Sequence, residues 1–201
     1  IDLTEVLDRW IAKLGDIITL IVNEVNIGLT KSLNKGITAI DTDYIARMDS
    51  DDVSRPDRFA VQSEFLDTHK DVAVIGAYIQ EFSDICENLG VRKFPLDTDG
   101  AKKLIYKANP LAHPAVMMRK SMFDDGISYD ENYRTSQDLA LWFDILTAGY
   151  NVANIDKVLL NFRRNDSVYK RRSNRKDSNL EFKVHEKGIY KLFGISPYKS
   201  L

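Results

Sequence analysis

Cysteine is almost absent from this 201-residue sequence, in which Cys86 is the single thiol. One cysteine cannot form a disulfide within the chain, so the fold cannot depend on the cross-links that stabilise small secreted domains. A reducing compartment such as the cytoplasm is the simplest interpretation. The sequence also has no run of the roughly 20 apolar residues that a membrane-spanning helix needs.

An excess of charge of one sign is missing as well. The 28 lysines and arginines nearly balance 30 aspartates and glutamates, which leaves a formal net charge of -2. This balance argues against nucleic acid as the main partner, because nucleic-acid-binding domains are usually basic. With 44% hydrophobic and 29% charged residues, the composition is that of an ordinary globular domain, and the length suggests one domain with a short extension.

What the sequence does contain is an alternation of helical and extended patterns. Apolar spacing predicts helices at residues 4–14, 29–39, 54–69, 97–107, 137–148 and 179–193. β-Branched and apolar runs predict strands at residues 17–23, 44–48, 72–82, 89–94, 115–119 and 158–163. Ser54 is expected to cap the third helix. The alternation in the first half favours an α/β fold with a parallel sheet.

Three carboxylates follow the predicted strand 44–48. Asp49 and Asp51 are two positions apart, so on an extended chain both point to the same side, and Asp52 comes next. In open α/β sheets, ligands bind beyond the carboxyl ends of the strands. Neighbouring carboxylates repel one another unless a cation lies among them, and Mg²⁺ or Mn²⁺ prefers such oxygen ligands. The alternative interpretation is a solvated turn before the next helix.

Short motifs occur in a fixed order around this acidic cluster. They are Asn-Ile-Gly-Leu at 26–29, Leu-Asn-Lys-Gly-Ile at 33–37, Met-Asp-Ser-Asp-Asp at 48–52 and Arg-Pro-Asp-Arg-Phe at 55–59. Further along are Asn-Pro-Leu-Ala-His-Pro at 109–114, Tyr-Asp-Glu at 129–131, Gln-Asp-Leu-Ala-Leu-Trp at 137–142 and Phe-Arg-Arg-Asn at 162–165. In order and spacing, this set resembles the inverting family 2 glycosyltransferases over about residues 1–170.

The resemblance implies a GT-A fold, which is a Rossmann-type mixed α/β sheet flanked by helices. The GT-A domain is expected to occupy residues 1–170, followed by a C-terminal basic loop and helix at residues 171–201. Two strands that begin the family's fold and hold the nucleotide base have no counterpart in the sequence. The domain is therefore expected to be incomplete at its N-terminus.

The resemblance also implies roles for individual residues. Asp49 and Asp51 would bind Mn²⁺ or Mg²⁺, Asp138 would be the general base, and His113 would lie on the acceptor side. Donor-binding residues would be Asn26, Gly28, Asn34, Asp49 and Arg163. Asp52 is expected to cap the next helix. Helix capping by Asp138 and a buried structural role for His113 are the alternatives. Gln137 and Asn165 depart from the family's usual Glu and His.

The implied partners are a nucleoside-diphosphate sugar donor and a polysaccharide or lipid-linked acceptor. A basic cluster could contact anionic lipid at the membrane periphery, or it could simply be solvated; its members are Lys170, Arg171, Arg172, Arg175 and Lys176. Two other functions stay open: a non-catalytic remnant or interaction domain, and a different metal enzyme such as a nucleotidyltransferase or phosphatase. No glycine-rich phosphate loop supports the last of these.

Overall fold

The computed structural model describes residues 3–164 and 175–195. The helices are α1 (Leu3–Leu14), α2 (Leu29–Thr38), α3 (Arg58–Thr68), α4 (Thr98–Leu104), α5 (Lys120–Asp124), α6 (Gln137–Thr147) and α7 (Arg175–Phe193). The strands are β1 (Tyr44–Ala46), β2 (Val53–Ser54), β3 (Val72–Ser83), β4 (Cys86–Arg92), β5 (Met117–Arg119) and β6 (Asn151–Arg163). Short 3₁₀ turns occupy Gly15–Ile17 and His113–Ala115. In the part of the chain described, no helix is both long and apolar enough to cross a membrane.

The strands form one mixed sheet flanked by helices, as the family resemblance predicted. The order is β1-β5-β3-β6-β2, and β4 pairs with the second half of β3. Among the described strands, only β3 and β6 run parallel, and the other pairs are antiparallel. The expectation of a parallel sheet was therefore wrong. Alternation of helices and strands does not fix strand direction, and β5 enters between β1 and β3 against the direction of both.

Helix α6 is the apolar centre of the layer that covers the sheet. Eight of its eleven residues are buried, and the Trp142 side chain has no exposed surface. Helix α7 packs against α6 and adds Val184 and Ile189 to the same core cluster. Gly188 lies between them, and a Cβ atom at that position would come within 2.3 Å of the Phe143 ring. The close approach of α7 to α6 thus depends on glycine, which has no side chain, at position 188.

We expect Gly188→Ala to lower the free energy of unfolding by about 1–3 kcal/mol, because the new methyl group must push Phe143 out of a packed core. Gly36→Ala is the matched control, since a Cβ at Gly36 in helix α2 meets no atom within 4 Å. That change should raise stability by about 0.5 kcal/mol through helix propensity. Urea unfolding of both variants measures the difference, and equal effects would contradict the packing argument.

Two sequence-based predictions of local structure were wrong. Residues 17–23 do not form a strand; Ile17 is 81% exposed and Val22 is 69% exposed, and no sheet neighbour pairs with this apolar segment among the described residues. Ser54 does not cap a helix. It lies on β2 opposite Leu160, and Asp57 precedes helix α3. A β-branched run favours a strand only where a partner strand satisfies its backbone groups.

Candidate active site

Three carboxylates converge in the loop that follows β1. Asp49, Asp51 and Asp52 each present one oxygen, and these three oxygens lie within 4.8 Å of one another. A backbone hydrogen bond from Asp52 to the carbonyl of Asp49 closes the turn at 3.3 Å. We call residues 47–52 the acidic loop. Like charges gathered this closely favour a cation, and an all-oxygen ligand set suits Mg²⁺ or Mn²⁺.

Arg47 offsets part of this negative charge from the first position of the loop. Its guanidinium is almost fully buried and makes two parallel hydrogen bonds to the Asp49 carboxylate, of which the Nη1 to Oδ2 bond is 2.7 Å. Such paired Arg–carboxylate bonds fix orientation as well as charge. Asp49 is thus held by a protein partner, whereas the Asp51 side chain is exposed. Of the two predicted metal ligands, Asp51 is the more accessible.

Asp52 ties the acidic loop to the end of β6. Its Oδ1 accepts a 2.8 Å hydrogen bond from the backbone N–H of Arg163, while its buried Oδ2 has no hydrogen-bond partner among the described residues. The pKa of Asp52 is raised to about 6, mainly by burial and also by the charges of Asp49 and Asp51, whereas the hydrogen bond from the Arg163 N–H lowers it. The expectation that Asp52 caps the next helix was wrong, because its carboxylate contacts β6 instead. A buried carboxylate oxygen without a partner fits a site that receives a cation.

Arg163, a predicted donor-binding residue, lies at the edge of the acidic loop. Its Nε donates to the Asp51 carbonyl at 3.0 Å, its Nη1 contacts the Asp84 carboxylate, and its guanidinium stacks 4.6 Å from the Phe82 ring centre. The side chain therefore joins the acidic loop to the β3–β4 hairpin. Asn165, two positions later, lies outside the described residues.

Asp138, the predicted general base, is the second residue of helix α6. It is half-buried, and its Oδ2 accepts a 3.1 Å hydrogen bond from the Asn109 side-chain amide. The helix dipole at this first turn stabilises the ionised carboxylate. Asp138 and Asp49 both raise the pKa of the Tyr129 phenol, which burial raises most. Both carboxylates therefore lie within electrostatic reach of one hydroxyl group.

His113, predicted for the acceptor side, is buried in the core behind these acids. Its Nε2 lies 2.6 Å from the Tyr129 hydroxyl, and its ring meets the edge of Trp142 at 5.9 Å. Burial, assisted by the positive charge of Arg47, lowers the pKa of His113 well below its usual value. When the neutral imidazole carries its proton on Nδ1, the Tyr129 hydroxyl donates to Nε2; in the other tautomer the Nε2–H group donates to the Tyr129 oxygen. The structure gives His113 a supporting position in the core, which was the alternative interpretation of this residue.

We expect the neutral His113 to make stability depend on pH. Its pKa is lower in the folded than in the unfolded chain, so the unfolded state takes up the proton first and stability falls as pH drops below about 6.5. Relative to His113→Gln, the wild-type chain should lose about 1 kcal/mol of unfolding free energy between pH 7 and 5.5. Urea titrations of both proteins at each pH measure this difference. A constant difference would show that His113 titrates normally.

The remaining predicted donor-binding residues lie at helix α2. Gly28 precedes the helix with φ at 84°, and its N–H donates to Asn26 Oδ1 at 3.0 Å, so this pair forms the turn into α2. Asn34 uses its amide as a clamp on the Tyr129 backbone: Oδ1 accepts from the Tyr129 N–H at 3.0 Å and Nδ2 donates to its carbonyl at 2.9 Å. In the described part of the chain, the side-chain hydrogen bonds of Asn26 and Asn34 thus go to protein groups outside the acidic loop.

Sequence reasoning assigned no role to four residues that shape the site: Arg47, Arg58, Asn109 and Tyr129. Arg47 was detectable, because it stands two positions before Asp49 and so shares its side of an extended chain. Arg58 was detectable from its spacing of four to Gln62 and eight to Leu66, all on one helix face and all buried. Asn109 and Tyr129 contact residues that are distant in the sequence, so no local sequence pattern predicts their positions.

Comparison with protein families finds a match to the sequence model described as Glycosyl transferase family 2, over residues 2–127. Among curated proteins, the chain is 33% identical over 171 residues to the amylovoran biosynthesis glycosyltransferase AmsE of Erwinia amylovora, with 85% of this chain and 63% of AmsE covered. It is 31% identical over 183 residues to an Escherichia coli UDP-Gal:alpha-D-GlcNAc-diphosphoundecaprenol beta-1,3-galactosyltransferase, with 91% and 66% covered. The chain thus spans slightly less than two thirds of either relative.

Solved structures with the same fold include residues 1–349 of S. aureus TarS in complex with UDP-GlcNAc. The TM-score is 0.63 at 14% identity, with 97% of this chain and 61% of that chain covered. Another is the mannosyltransferase PcManGT from Pyrobaculum calidifontis in complex with GDP-Man and Mn²⁺, with a TM-score of 0.61 at 14% identity and 94% and 59% covered. At this identity the likeness establishes the fold alone, which is of the GT-A type.

Proposed function

Because the chain belongs to glycosyl transferase family 2, we propose that it transfers a sugar from a nucleoside-diphosphate donor to a hydroxyl group of a polysaccharide or lipid-linked acceptor, with inversion at the anomeric carbon. The observation that carries this proposal is the convergence of three carboxylate oxygens within 4.8 Å in the acidic loop. Asp138 at the start of α6 acts on the same Tyr129 hydroxyl as Asp49 of that loop. The acidic loop suits the binding of a metal-bound diphosphate, and Asp138 suits deprotonation of the attacking hydroxyl.

The acidic loop is proposed to hold a divalent cation. Asp51 would be the main ligand, Asp49 would share its carboxylate between the cation and Arg47, and Asp52 would offer a third carboxylate oxygen. A bound Mg²⁺ or Mn²⁺ supplies charge neutralisation for the leaving nucleoside diphosphate. Arg163 at the loop edge keeps Asp51 in place through its backbone carbonyl, and it could turn toward a phosphate oxygen.

Asp138 is proposed to deprotonate the acceptor hydroxyl as that oxygen attacks the anomeric carbon. An inverting transfer needs one carboxylate for this step, on the face of the sugar opposite the leaving group. The Asn109 amide donates a hydrogen bond to Asp138 Oδ2 and so helps to orient the carboxylate. Asn34, Tyr129 and His113 would support this arrangement from behind rather than contact either substrate.

Similar proteins suggest the chemical class of the substrates. The E. coli relative is named for a UDP-sugar donor and a diphosphoundecaprenol-linked acceptor, and the two solved structures were determined with UDP-GlcNAc and with GDP-Man and Mn²⁺. We therefore propose a UDP- or GDP-sugar donor in the cytoplasm and a polyprenol-linked or growing glycan acceptor. Membrane contact through the basic cluster at residues 170–176 stays a prediction, since residues 165–174 lie outside the described range.

Titration calorimetry of the 201-residue chain with UDP and with GDP, each with Mn²⁺ and with EDTA, tests the proposal directly. We expect one of the two nucleotides to bind in the presence of Mn²⁺ and to lose most of its affinity in EDTA. The Asp51→Asn variant is the control, since it should bind equally weakly under both conditions. Metal-independent binding would contradict the role of the acidic loop. A folded chain that binds neither nucleotide would instead favour a non-catalytic interaction domain.

A further inference from the structure

Helix α3 carries a buried charged side chain and a buried amide side chain, and the charged one contacts the acidic loop. Arg58 and Gln62 have no exposed surface, although both carry strongly polar side chains. Removing a guanidinium from water costs several kcal/mol unless its donors are satisfied. A guanidinium is therefore expected at this depth only where its hydrogen bonds or its charge stabilise a particular structure. The metal-binding and acceptor roles proposed above do not involve Arg58.

The hydrogen bonds of Arg58 reach the start of the acidic loop. Its Nη2 donates to the carbonyl of Arg47 at 2.7 Å and to the carbonyl of Val116 at 3.0 Å. Its Nε donates to Gln62 Oε1 at 3.0 Å, and Gln62 in turn donates to the Ala115 carbonyl at 2.8 Å. Helix α3 is thus fastened to the first residue of the loop and to the segment that enters β5.

The charge of Arg58 reaches the other end of the same loop. The pKa of Arg58 is lowered to about 10, mainly by burial and also by nearby Arg47, whereas Asp52 acts in the opposite direction as the favourable partner. Each of Arg58 and Asp52 keeps one buried atom without a hydrogen bond to the described residues, Nη1 on Arg58 and Oδ2 on Asp52. The two opposite charges, both buried, attract each other without a direct hydrogen bond or ion pair among the described residues.

We propose that Arg58 is the positioning residue of the acidic loop, holding its first residue through the 2.7 Å hydrogen bond to the Arg47 carbonyl, with electrostatic attraction to Asp52 at the other end of the loop in addition. Because Arg47 in turn binds the Asp49 carboxylate, this hydrogen bond fixes the start of the six-residue loop and the position of Asp49. Arg58 touches neither substrate nor metal in this account. The inference rests on the proposed function only where it concerns cation binding, because the hydrogen bond from Arg58 to the Arg47 carbonyl is present in the chain alone.

A double-mutant cycle on the 201-residue chain tests the coupling without nucleotide or metal. Arg58→Met, Asp52→Asn and the double variant are unfolded in urea in EDTA at pH 7.5. We expect the unfolding constant of the double variant to differ from the product of the single effects by about tenfold, in the sense of mutual stabilisation in the wild-type chain. Leu66→Ala combined with Asp52→Asn is the control, because Leu66 is equally buried on α3, and these effects should multiply within about twofold.

Cation binding is the second readout, measured by the paramagnetic resonance signal of free Mn²⁺. Arg58→Met should weaken Mn²⁺ binding about tenfold or more. Arg58→Lys, which keeps the positive charge but lacks the planar guanidinium with its several donors, should recover part of the Mn²⁺ affinity. Leu66→Ala, studied at a temperature where it is folded, should leave Mn²⁺ affinity within about twofold of wild type. If Arg58→Met does not fold, Arg58→Lys replaces it in both experiments.

The two readouts separate this inference from the proposed function. Multiplicative effects of Arg58 and Asp52, or equal losses of Mn²⁺ affinity in the Arg58 and Leu66 variants, would overturn the positioning role and leave the transferase proposal intact. A wild-type chain that binds no Mn²⁺ would count against the proposed metal site, and the urea cycle would still decide whether Arg58 and Asp52 are coupled.

Discussion

Replacing Asp51 by Asn is expected to lower sugar transfer by about 10²- to 10³-fold, mostly in kcat, because the leaving diphosphate loses the cation that neutralises it. Asp51 is the exposed carboxylate of the acidic loop, and Arg47 binds Asp49 rather than Asp51. The substitution keeps the shape of the side chain and its effect on folding should be small. Loss of activity can therefore be assigned to loss of charge at the cation site.

The measurement is release of UDP or GDP from a panel of sugar nucleotides in the presence of a diphosphopolyprenol-linked sugar, over a range of Mn²⁺ concentrations. Glu87→Gln is the matched control, since it removes one negative charge from an exposed position on β4. It should retain nearly full activity and the same Mn²⁺ dependence. Unchanged turnover in Asp51→Asn at every Mn²⁺ concentration would remove Asp51 from the proposed mechanism.

Replacing Asp138 by Asn is expected to lower kcat by about 10²- to 10⁴-fold while KM for the donor changes little. The amide cannot accept the proton of the acceptor hydroxyl, but it preserves the size of the side chain and its contact with Asn109. Donor capture depends on the acidic loop and should continue. A large rise in donor KM with unchanged kcat would show that Asp138 binds the donor rather than serving as the base.

Asp144→Asn offers a control on the same helix. Asp144 lies two turns beyond Asp138 and pairs with Lys191 of α7, so its removal weakens the contact between helices α6 and α7 without altering the proposed base. We expect a modest loss of stability and near-normal kcat. The pH profile adds a further test, because the acidic limb of kcat should disappear in Asp138→Asn only if Asp138 is the group whose ionisation sets it.

Much of the fold could be predicted from apolar periodicity and motif order. The paired strands β3 and β4, helix α2 and helix α6 lie within a few residues of their predicted positions, because each carries a strong local pattern with clear ends. The strand predicted at residues 17–23 failed because extended structure needs a partner that sequence periodicity cannot supply. The direction of β5 depended on how the chain returns through the turn at His113–Ala115, which local pattern does not encode.

The candidate site was predictable where its residues are close in sequence and hidden where they are not. Asp49, Asp51 and Asp52 form one loop, and their convergence follows from their spacing. The links that support the site cross 95 residues from Asn34 to Tyr129 and 16 from His113 to Tyr129, and the pattern around each residue gives no sign of its partner. The roles assigned to Asp138 and to the metal ligands stay predictions until the variants above are measured.

The parallel pairing of β3 with β6 has a consequence for how the chain folds during synthesis. Residue 72 pairs with residue 151, so the central ladder closes a loop of roughly 80 residues. Until β6 has left the ribosome, β3 presents one unpaired edge and part of an apolar surface to other chains. Folding of this sheet should be slow compared with that of a helical bundle of the same length, and the nascent chain is a natural client for chaperones that bind exposed strands.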